Sequence, residues 1–133
     1  MKKLALGLVG IFLVALSACT TAPSPGRTVF LGERSVDFHA DHDTIFVGDY
    51  KGNFHSVYFK VENNNIEVFN MVIVYGDGER ERIDTRFVFD ADTRSRTIAL
   101  DGWKRHIRTI DFSYKTVGDW VGGRAHILVY GIR

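Results

Sequence analysis

The chain is short of cysteine, proline and net charge, and each shortage removes a class of protein. Its 133 residues hold one cysteine, Cys19. Neither a disulfide framework nor a cysteine-rich zinc site can be built from it. Both prolines, Pro23 and Pro25, fall before residue 26, so the rest of the chain is free of the residue that interrupts strand ladders. Lys and Arg number 17 against 16 Asp and Glu, a net of +1. Nucleic-acid binders carry a clear basic excess, so nucleic acid is not an expected partner. No apolar run reaches the roughly 20 residues of a transmembrane helix. At 45% hydrophobic and 25% charged, the composition excludes both a disordered chain and a multi-span membrane protein. The length suits one domain of about 100–150 residues.

What is present begins at the N-terminus. Lys2 and Lys3 precede an almost wholly apolar stretch, residues 4–18, the layout of a secretory signal. The stretch ends in Leu16, Ser17, Ala18 and Cys19. An aliphatic residue, two small residues and then Cys resemble the lipobox of bacterial lipoproteins. The small side chains let a peptidase reach the bond between Ala18 and Cys19, and the thiol carries the diacylglycerol. Residues 1–18 therefore read as a lipoprotein signal peptide, residues 19–27 as lipidated Cys and tether, and residues 28–133 as the folded domain. Cleavage removes 18 of the 133 residues and leaves 115. One acyl chain holds a protein only weakly, and the several chains of a lipoprotein Cys make the anchor stable. Thr20 stands where an Asp would favour inner-membrane retention, so the expected location is the cell envelope, on the outer membrane facing the periplasm. The tether, TTAPSPGR, has no side chain able to dock it.

After residue 27, β-branched and aromatic residues cluster in short runs punctuated by Gly, Asn and Asp. Residues 54–61 alternate. Asn63, Asn64 and Asn65 mark a turn, and Gly76, Asp77 and Gly78 a tight hairpin. Residues 66–75 are apolar on both faces, which suggests a central strand covered on both sides. Asp101 and Gly102 are read as a turn joining residues 95–100 to residues 107–115. No window sustains helical spacing. The fold expected is an all-β, antiparallel, two-sheet sandwich, jelly-roll-like, of about eight or nine strands, with a closed barrel as the alternative.

The order of segments across the folded part resembles a family of short exported bacterial proteins of uncharacterised function. The matching pieces are LGERSVDF, DHDTIFVG, GNFHSVYFKV, VIVYGDGERERI, SRTIALDGWKRHIRTIDFSYK and AHILVYG. The resemblance implies a β-sandwich, with a lipobox here that soluble exported members lack. It implies no activity, so it transfers no catalytic residue.

Candidate sites come from residue type. Trp103 with Arg96, Arg105 and Arg108 could form a stacking surface for a sugar ring or an anion, since guanidinium groups and indole faces recognise both. The competing reading is structural Arg–Asp pairing with Trp103 folded over a sheet edge. Trp120, between Gly118 and Gly122, is a second candidate, or else a plug over one end of the sandwich. His39, Asp41, His42 and Asp43 are the densest ligand-type cluster, but strand alternation would aim at most two of them at one ion. The charged return strand around Glu79, Arg80, Glu81 and Arg82 reads as a solvated edge.

No nucleophile elbow, zinc-protease helix, P-loop or dinucleotide fingerprint occurs. The expectation is a non-enzymatic binding or interaction module without a cofactor, attached to the membrane and recognising an envelope protein or saccharide. The alternative is a small envelope hydrolase or metal-binding protein built on Asp41, His42, Asp43 or Asp90.

Overall fold

The computed structural model describes residues 26–84 and 86–133. The signal and lipidation expectations, with Cys19, lie outside the described residues. Ten strands pack as two antiparallel sheets. One sheet orders β1 (Thr28–Val36), β10 (Ala125–Ile132), β4 (Ser56–Glu62) and β8 (Ile98–Ala99). The other orders β2 (Asp41–Phe46), β9 (Arg105–Thr116), β5 (Ile66–Tyr75) and β6 (Arg80–Ile83). Two short strands complete it: β3 (Asn53–Phe54) on β9, and β7 (Phe87–Phe89) on β5. The orders β1-β10-β4-β8 and β2-β9-β5-β6 are the two interlocked Greek keys of a jelly roll. The excess over the expected strand count includes β3, two residues long and too short to leave a periodic signal.

Alternation explains most of the core. Ala125, Ile127, Val129 and Gly131 of β10 face inward, as do Ile107, Ile110, Phe112 and Tyr114 of β9. Burying a large apolar side chain contributes about 1.5–3 kcal/mol. Among the described residues, the core cluster runs from Leu31 to Val129. Gly131 is required by packing: a Cβ there would come within 2.5 Å of the Phe54 ring.

The strand read as covered on both faces has a different cause. In β5 the register shifts between Val68 and Asn70. This bulge lets Ile66, Val68, Met71, Ile73 and Tyr75 all point inward despite the phase change. The outward residues Val72 and Val74 are only half-buried. Another register shift lies in β1, between Phe30 and Gly32.

The two long sides of the sandwich differ. On one, β1 and β2 approach closely: Arg34 Nη2 donates to the Thr44 carbonyl at 2.6 Å, and Gly32 lies against Ile45. On the other, the edges are β8 in one sheet and β6 and β7 in the other, none longer than four residues, and they leave the side open.

Candidate functional site

The expected hairpin between residues 95–100 and 107–115 does not form. Val57 pairs with Ile98 and Ser56 with Ala99, so β8 belongs to the first sheet, whereas β9 belongs to the second. Asp101 and Gly102, the latter at φ +88°, lie on a crossover between sheets. Turn chemistry was legible there, but it does not tell a hairpin from a crossover. The consequence is that Arg96 is separated from Arg105 and Arg108.

Arg105 and Arg108 are engaged within the fold. Arg105 Nη2 reaches Glu79 at 2.6 Å and Asp77 at 3.2 Å, and Nη1 donates to the Asp101 carbonyl at 3.0 Å. Its guanidinium carbon lies 3.8 Å from the Tyr75 ring centroid. The hydrogen bond to Glu79 raises its pKa further above the ordinary arginine value. Arg108 Nη2 donates to the Gly76 carbonyl at 2.9 Å. Both arginines therefore brace the hairpin after β5, where Gly78 takes φ +92°. Trp103 is not folded over the sheet edge; it is 83% exposed.

Trp120 is also exposed, at 73%, and stacks on Phe38 with ring centroids 4.0 Å apart. Its loop is held from beneath by buried Asn64. Asn64 Nδ2 donates to the carbonyls of Asp119 and Gly123, each at 2.9 Å, and its Oδ1 accepts from the Asn65 amide. Asn64 thus does more than turn the chain.

The residues His39, Asp41, His42 and Asp43 do not converge. The strand begins at Asp41, so alternation sends His42 to one face and Asp41 and Asp43 to the other. His42 Nδ1 meets Ser113 Oγ at 3.2 Å, and Asp43 accepts from the Tyr114 hydroxyl at 2.5 Å. Burial, then that bond to Asp43, pushes the Tyr114 phenol well above its ordinary pKa. Among the described residues, no three His, Cys, Asp or Glu side chains gather as a metal site. Asp90 sits exposed after β7, with its carbonyl accepting from Thr93.

The open side holds a site that residue typing missed. Between β7 and β8 lies a cavity of about 210 Å³, lined by Phe59, Phe87, Phe89, Ser95, Arg96 and Ile98. Phe59 is its buried floor and meets Phe89 edge-on at 4.7 Å. Ser95 Oγ accepts from the Phe59 amide at 3.0 Å and donates to the Arg96 carbonyl at 2.8 Å, which fixes the wall. The Arg96 side chain is exposed at the rim and makes no ion pair among the described residues. A signal was present in the sequence: Phe87, Val88 and Phe89 are apolar on both faces of a strand too short to be central.

Comparison with known proteins places the chain in a family. Residues 7–131 match DUF2541, a domain of unknown function. The chain belongs to that family. No curated protein matches it. Among solved structures it is similar to Pseudomonas aeruginosa AlgX, with 13% identity and a TM-score of 0.49, over 80% of this chain and 26% of AlgX. The chain thus spans about a quarter of AlgX, and the likeness at this level carries no functional argument.

Proposed function

We propose that the protein is a non-enzymatic binding module of the bacterial envelope, anchored through a lipidated Cys19, with its ligand site in the cleft between β7 and β8. The observation that carries the reading is the cleft itself: an apolar cavity opening to the surface beside the unpaired guanidinium of Arg96. An apolar lining offers a sugar's hydroxyls no partners, and leaving them unbonded is costly. The cleft therefore favours an apolar group over the saccharide expected at Trp103. A cavity of about 150 Å³ accepts a benzene ring. This one suits a ring or a medium-length acyl chain, and Arg96 adds preference for an anion at its end.

The test uses the chain from residue 19 onward with Cys19→Ser, titrated with octanoate and followed by amide chemical shifts. Shifts are expected at Phe59, Ser95, Arg96 and Ile98. Arg96→Gln should weaken binding, and Ile98→Trp, which fills the cavity, should abolish it. Shifts scattered over the surface, or unchanged affinity in both variants, would refute the site.

A further inference from the structure

The two ends of the sandwich differ in chemistry, and the tether leaves from only one. Gly26 lies against Ile132, Arg133 and His55, and the Arg133 amide donates to the Arg27 carbonyl at 3.1 Å. The same end carries the 3-10 turn Asp49–Lys51 and the crossover with Trp103. Lys51 Nζ bonds the Phe30 carbonyl at 2.6 Å, the Leu100 amide bonds the His55 carbonyl at 3.0 Å, and His106 Nε2 meets Asp49 at 2.9 Å. Tyr50 is 86% exposed there, Trp103 83% and Phe46 73%. Lys51 Nζ lies 5.7 Å from the Tyr50 ring centroid. Around these rings stand Arg27, Lys51, Lys104 and Arg133. Of the nearby carboxylates, Asp77 and Glu79 are paired with Arg105, Glu81 accepts from the Tyr75 hydroxyl and the Asp101 amide, and Asp49 and Asp101 stand exposed.

We infer that this tether end is a bilayer-docking face, with Tyr50 and Trp103 seated in the headgroup region of the anchoring membrane. The inference rests on the lipidated Cys19 of the proposed function. Tyr and Trp suit that region because one end of each side chain is apolar and the other polar. Lys and Arg beside them keep their heads in water while their stems lie along the apolar zone.

The length of chain preceding Gly26 selects the same end. Residues 19–25 are seven residues, and seven residues extend to at most about 25 Å. Reaching the opposite end means running back along nine-residue β1, about 27 Å, before the Trp120 loop is met. That opposite end carries Asp41, Glu62 and Asp119, beside the ion pairs of Arg124 with Asp37 and Lys115 with Glu67, so an anionic leaflet repels it.

The chain's two tryptophans stand one at each end, which makes the test direct. Trp103→Phe and Trp120→Phe each leave a single reporter. The lipidated protein is reconstituted in phosphatidylethanolamine–phosphatidylglycerol vesicles carrying brominated acyl chains. Trp103 should be quenched and blue-shifted, and Trp120 should show neither change. Equal quenching of both, or none of Trp103, would overturn the docking face. A native Cys19 without lipid would overturn the anchor instead. The face is then read on the chain coupled through its only cysteine to a maleimide lipid, where unquenched Trp103 again overturns it.

Discussion

The Arg105 guanidinium carbon lies over the Tyr75 ring, 3.8 Å from its centroid, while Glu79 and Asp77 pair with its Nη2. The Tyr75 hydroxyl in turn donates to Glu81, so one hairpin is stapled by a stacked cation, two ion pairs and a phenol. An arginine spent this way is not offered to a ligand.

Arg105→Ala should therefore lower the melting temperature, because it removes the stack and leaves the carboxylates beside one another unneutralised. Arg105→Lys should recover only part of the loss, since an ammonium lacks the planar fork. Trp103→Ala, at an exposed ring, should leave the melt where it was. Circular dichroism melts of the three variants decide it. A stable Arg105→Ala or a strongly destabilised Trp103→Ala would mean that the roles are reversed.

Asn64→Ala should loosen the loop that displays Trp120. The substitution removes the hydrogen bonds to the carbonyls of Asp119 and Gly123, each of which contributes about 0.5–1.5 kcal/mol. Hydrogen exchange should accelerate at the Gly122 and Gly123 amides, which close the loop's own turns. Unchanged protection there would show that the loop holds itself.

Much of the jelly roll could be read from the chain, because alternation in β4, β9 and β10 and the turns at Asn63 and Gly78 are local signals. The site could not be read in the same way. Arg96, Trp103, Arg105 and Arg108 were grouped through a turn at Asp101 and Gly102, and the turn is real. Which sheet the chain enters after it depends on whether β8 pairs with β4 or β9, a non-local choice that residues 95–105 do not encode. The cleft likewise exists because β8 stops after Ala99, and a strand's shortness has no period to detect. The bulge in β5 disguised ordinary alternation as a doubly buried strand for the same reason: one unpaired residue shifts the phase.

Alkaline pH should unfold the protein through two phenols. Burial, followed by the bonds to Glu81 and Asp43, raises Tyr75 and Tyr114 above their ordinary value of about 10. The native state keeps its protons where the unfolded state loses them. This contribution to stability is whole below about pH 10 and falls as the pH rises beyond it. Melting temperature followed upward from about pH 9 should decline, less steeply in Tyr114→Phe, which keeps the ring and removes the titrating group. Parallel declines in wild type and variant would rule out Tyr114 as a source.

In the proposed function, the anchor and the orientation of the module both begin at Cys19. The most direct measurement is the intact mass and N-terminal peptide of the protein extracted from membranes of its native host. The expected product starts at Cys19, carries a diacylglyceryl thioether and an acylated amine, and lacks residues 1–18. A product with an unmodified Cys19, or a soluble one starting elsewhere, would contradict a lipid-anchored envelope module.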